Sequence, residues 1–136
     1  MRINWWAILV ADIVLFLFGY LWYDVLFGNV WMATMAGLGQ HAGMGTTWYP
    51  FAVSLVTGFF LAYGLARILM WRGPVGWLEG AWIGMAFGLL IFGSMTWMDY
   101  AYAGWGMTLG YLNVGYVAVG MAIQGAILAA WKAKAA

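Results

Sequence analysis

Of the chain's 136 residues, 67% are apolar, 20% are aromatic and 7% are charged, and the mean hydropathy is +0.90. A soluble domain carries about a quarter of its residues as charges, so this composition excludes a water-exposed globular fold and indicates a membrane protein. Five cations and a net charge of +1 exclude a phosphate-binding stripe for nucleic acid, and the absence of cysteine excludes disulfides and thiolate ligands.

Crossing a bilayer takes about 20 mostly apolar residues. Four stretches qualify, at 4–27, 49–71, 75–98 and 108–131, so the expected fold is all-α, a single membrane domain of four spans in a helical bundle. The first stretch follows Arg2 and looks like a signal peptide at first sight. Its length, and its ending in Trp22-Tyr23-Asp24 rather than a small-x-small cleavage site, favour a retained helix. An outer loop at 28–48 follows, in which Trp31, Met35 and Leu38 fall at i, i+4 and i+7. This stripe is compatible with a short helix over 29–37 lying on the outer membrane surface. Pro50 stands where a first-turn proline is tolerated, and the Arg72-Gly73-Pro74 turn and the stretch 99–107, with Gly104 and Gly106, make the remaining breaks.

Four spans put both termini and the second connection on one face, which gathers Arg2, Arg67, Arg72, Lys132 and Lys134, while the opposite face has no Lys or Arg. The positive-inside rule places that cationic face, with both termini, in the cytoplasm. Such one-sidedness also disfavours the dual topology of small multidrug exporters. Trp22, Trp31, Trp48, Trp97 and Trp105 on one side, and Trp5, Trp6, Trp71, Trp77 and Trp131 on the other, read as two interfacial belts.

The third span repeats glycine every fourth residue at Gly76, Gly80, Gly84 and Gly88, and the second offers a ridge of Ser54, Gly58 and Ala62. Such ridges let backbones approach, either as intramolecular packing of adjacent helices or as a face for a partner chain. Glycines at Gly110, Gly115, Gly120 and Gly125 wind around the fourth span, which suggests close packing on more than one side.

Asp12 lies about 12 Å along the first helix at 1.5 Å per residue. An ionised carboxylate facing lipid there is costly, so Asp12 should face protein or water. It reads either as a proton or cation site or as an acid hydrogen-bonded to a neighbouring helix. Gln124 sits at similar depth on one face with Asn113 and Gly120, which allows an Asp12–Gln124 contact. Arg67 and Glu79, six residues before and five after Gly73-Pro74, form a candidate ion pair clamping the hairpin, with Arg67 as an alternative partner for Asp12. His41 is the single histidine and reads as a solvated loop side chain.

No nucleophile–base set, phosphate loop, dinucleotide fingerprint or metal-spaced motif is present, so no enzyme, metal site or cofactor is predicted. If the chain accompanies a pigment or electron-transfer complex, its aromatic flanks would contact lipid, quinone tails or carotenoids rather than ligate a metal. Both outward helices end in Trp-x-Asp, at Trp22-Tyr23-Asp24 and Trp97-Met98-Asp99, a short echo compatible with two repeated hairpins.

Asn4-Trp5-x-Ala7-Ile8-Leu9-Val10-Ala11, Gly19-x-x-Trp22-Tyr23, Leu26-Phe27-Gly28-x-x-Trp31-Met32, Gly115-Tyr116 and Gly125-Ala126-Ile127-Leu128 before Trp131 resemble the small four-helix bacterial membrane proteins of the domain of unknown function 1761 family. The resemblance implies a topology and no catalytic residues. Similar proteins carry a small apolar residue where Asp12 stands and a lysine where this chain has Asn29. The expected function is a non-enzymatic accessory, stabilising or assembly subunit of the bacterial inner membrane, with lipids and membrane-protein subunits or further copies of itself as partners. The alternative is a small oligomeric transporter or channel using Asp12 for proton or cation coupling.

Overall fold

A computed structural model describes residues 2–37 and 48–131. Leu38, His41, Lys132 and Lys134 lie outside the described residues. Within them the chain is helical without strands, and four helical segments are long and apolar enough to cross a membrane: Trp5–Leu26, Tyr49–Arg72, Trp77–Ala103 and Met107–Ala130.

The first span is α1 (Trp5–Tyr20) continued by a π-helical segment, Leu21–Leu26. Asn4 caps it: its side chain accepts a hydrogen bond from the Ala7 amide and donates to the Trp131 carbonyl at 3.1 Å, which ties the start of the first span to the end of the fourth. Helix α2 (Gly28–Gly37) covers the stretch where the Trp31 stripe suggests a short helix. The second span is α3 (Tyr49–Arg72), with Pro50 in its first turn and Gly73, at φ +98°, behind its last. The third consists of α4 (Trp77–Phe87), a π-helical segment at Gly88–Gly93, and α5 (Ser94–Ala103). It runs past Asp99, because an exposed carboxylate does not stop a helix. Gly104, in the left-handed conformation at φ +71°, does. The fourth span is α6 (Met107–Ala130).

The fourth span is the hub. The most apolar window of α6 is 44% buried, against 28%, 22% and 17% for the first, second and third spans. The first and second spans pack on each other and on α6, forming a three-helix core of Ala7, Ile8, Ala11, Ala62, Leu65 and Met121. The third span attaches through α6 and barely meets α3. Three hydroxyls within the spans are satisfied in their own helices. Ser54, Thr57 and Ser94 donate to the carbonyls of Pro50, Val53 and Leu90 in their own helices, as a lipid environment demands.

The glycine ridge of the third span and the small-residue ridge of the second do not face each other. A Cβ added at Gly80, Gly84 or Gly88 would strike the backbone at Gly125, Met121 or Val117, so the third span's ridge steps antiparallel along the fourth span. The second span's ridge turns to the first: Gly58 abuts Asp12, Ala62 is fully buried, and Ser54 is exposed. Gly76 departs from the ridge altogether. It caps α4 in an extended conformation, exposed, with open space where a side chain would go.

Candidate functional site

Two polar groupings bridge the spans, one in the three-helix core and one at the end remote from Arg2 and Arg72. The core grouping begins with Asp12, on the buried face of α1 with Ile8, Ala11 and Leu15. Asp12 is 7% exposed and Gln124, from the hub, is 0% exposed, so both side chains are buried within the bundle. The Gln124 amide nitrogen donates to two carbonyls on two different helices, Ala11 at 3.3 Å and Gly58 at 3.4 Å. These two acceptors fix which end of the amide is nitrogen. The Gln124 Oε1 and the Asp12 Oδ1 are both buried without a hydrogen-bond partner. Asp12 Oδ1 presses on Gly58, where any side chain would collide with it. Three spans therefore converge on one glycine, with an acid from one and an amide from another.

The second grouping joins the first, third and fourth spans. Tyr23 donates to the side-chain oxygen of Asn113, and Asn113 donates from its nitrogen to the Tyr100 hydroxyl. The Trp22 indole donates to the Leu112 carbonyl at 3.0 Å, and Tyr116 donates to the Leu15 carbonyl at 3.3 Å. Tyr116 also stacks on Phe18 at 5.6 Å. The Trp-x-Asp echo has a physical counterpart here. Trp22 lies on Gly115 and Trp97 lies on Gly110, so each outward helix seats a tryptophan in a side-chain-free notch of the hub. The sequence gives no hint of the tyrosine hydroxyls' role. The matching signal was the five-residue glycine spacing, read together with the two tryptophans.

The structure separates Asn113 from the Asp12–Gln124 grouping and gives it to the tyrosine clasp. It also corrects the hairpin ion pair. Glu79 pairs with Arg72 at 2.7 Å, not with Arg67. Counting residues from Gly73-Pro74 assumes helix on both sides of the turn. Gly73 to Gly76 lie outside either helix, so Glu79 falls in the first turn of α4 beside the last turn of α3. Arg67 is exposed and makes no ion pair among the described residues, and no contact joins it to Asp12.

Among the described residues no three His, Asp or Glu side chains gather as a metal site would require. An apolar cleft of about 490 Å³ lies between the second and third spans, lined by Thr57, Phe60, Gly64, Ile91, Phe92 and Met121. Its position follows from the packing: the glycine ridge draws α4 onto α6 and away from α3.

No curated protein and no solved structure matches the chain. One family profile matches residues 6–129, and its description is "Protein of unknown function (DUF1761)". The match takes in all four spans and both polar groupings, and so the chain belongs to the DUF1761 family.

Proposed function

We propose that the protein is an accessory subunit of the bacterial inner membrane, cytoplasmic at both termini, whose third span seats a partner membrane protein. The observation that carries this reading is the imbalance between the spans. The third span is 17% buried and held through the hub, with the open cleft on its flank toward α3. Its exposed side chains include Trp82, Leu89 and Leu90, apolar groups that another helix can meet without desolvating any polar group, while Ile91 and Phe92 line the cleft. The cationic end, with Arg2, Arg67 and Arg72, supports the orientation.

A photo-crosslinking residue at Leu90, compared with one at Ile13 on the lipid-facing side of α1, tests it in native membranes. Both positions are exposed. A discrete protein adduct from Leu90 and lipid adducts from Ile13 support the reading; lipid adducts alone from both overturn it.

A second reading, a small carrier or channel coupled to a proton or cation, is favoured by the two unpartnered oxygens of Asp12 and Gln124. Liposomes reconstituted with Asp12→Asn lose flux if this is correct, and unchanged flux removes Asp12 as a coupling site.

A further inference from the structure

The Asp12–Gln124 grouping contains two buried acceptors and no donor between them. Gln124 has committed its amide nitrogen to the Ala11 and Gly58 carbonyls, so it cannot donate to Asp12. An ionised Asp12 would then hold its Oδ1 buried and unpaired against Gly58, in the same core as the bare Gln124 Oε1. Charge in such a place is retained only beside a partner of opposite sign. Among the described residues none pairs with it: Arg2 and Arg67 are exposed, and Arg72 is engaged with Glu79 in the hairpin. Among titratable groups on the packed elements, α6 brings Tyr116, whose hydroxyl donates to the Leu15 carbonyl one turn away. From α3 the group facing Asp12 is Gly58, and Tyr63 is turned aside onto Trp5 at 5.8 Å.

A single proton resolves both orphans. We propose that Asp12 is a proton-binding site, held as the neutral acid at physiological pH, and that its hydroxyl donates to Gln124 Oε1 to close a clasp between the first, second and fourth spans around Gly58. One carboxyl and one amide oxygen fall short of the six or more oxygens that an ion such as calcium takes. They suit one shared proton. The inference goes beyond either functional reading and stands if the crosslinking at Leu90 fails.

The chain suits a direct measurement, because its carboxyl side chains are only Asp12, Asp24, Glu79 and Asp99. Infrared spectra of the full chain in nanodiscs at neutral pH should show a protonated-carboxyl C=O band that shifts in D2O. The band disappears in Asp12→Asn and moves to higher frequency in Gln124→Leu, where its acceptor is gone. Should Asp12→Asn fail to fold, the triple variant Asp24→Asn/Glu79→Gln/Asp99→Asn leaves Asp12 as the sole carboxyl side chain and must keep the band. No band at neutral pH in the folded protein overturns the proposal, as does a band that survives Asp12→Asn. A melting temperature that rises with sodium in the parent and not in Asp12→Asn overturns it in favour of a metal cation.

Discussion

The third and fourth spans are both apolar helices rich in glycine, yet they occupy opposite roles. The fourth is notched on several sides: Gly110 receives Trp97, Gly115 receives Trp22, Gly120 receives Leu15, and Gly125 receives the backbone of Gly80. The third presents glycine as one ridge and lays α4 on the hub along it. Glycines spaced by four make a seam, and glycines spaced by five make a hub. The difference matters in lipid, where apolar side chains gain little by leaving one apolar surface for another and close backbone contact supplies the adhesion.

The comparison breaks first at the seam. Gly84→Leu drives a side chain into the Met121 backbone, which has no rotamer to yield, and should lower stability by more than about 3 kcal/mol. Thermal melting in detergent measures the loss. Since the chain has no cysteine, a single Cys introduced at Met85 reports by its labelling rate whether the third span has left the hub. Next comes the clasp remote from the cationic end. Tyr23→Phe removes the donor to Asn113 and leaves the rings in place, so a loss of about 1 kcal/mol is expected from the same melting curves. A loss above the seam's would show that polar contacts rather than glycine notches organise the hub.

The hairpin pair gives a smaller signal. Arg72 and Glu79 have side chains 59% and 46% exposed, and surface pairs of this kind are worth about 0–1 kcal/mol. Arg72→Gln should register a small loss that vanishes in an Glu79→Gln background, whereas Arg67→Gln should show no coupling to Glu79 in the same double-mutant cycle. At the bottom of the scale, Gly76→Ala meets nothing within 4 Å and stays within about 0.5 kcal/mol of the parent. A large cost there would restore Gly76 to the ridge.

Much of this arrangement was legible in residue order. Span number and position follow from hydropathy and length, because an apolar helix of bilayer length has few other uses. Asp12 and Gln124 were placed at one depth by counting from the cationic end, and both now flank Gly58. The partner of the glycine ridge was not legible. A glycine face has no size or charge to match against another face, so residue order offers Ser54-Gly58-Ala62 as its match, whereas the ridge meets the backbone at Val117, Met121 and Gly125. The π-helical segments at Leu21–Leu26 and Gly88–Gly93 left no mark in the hydropathy either, since one extra residue per turn changes which face a side chain occupies and not how apolar it is. The tyrosine clasp was hidden for a related reason. Asn113, Tyr23 and Tyr100 come from three spans, and only the crossing geometry brings their hydroxyls and amide together.

The position of the hub has a consequence for biogenesis. Chains are made from the N-terminus, so the first three spans leave the ribosome before α6 exists. Until then Gly80, Gly84 and Gly88 lack the backbone they meet in the finished bundle, and Asp12 lacks the neighbouring amide of Gln124. The last of the four spans to enter the membrane closes the seam and the clasp and buries the carboxyl, which makes its arrival the committing event of assembly.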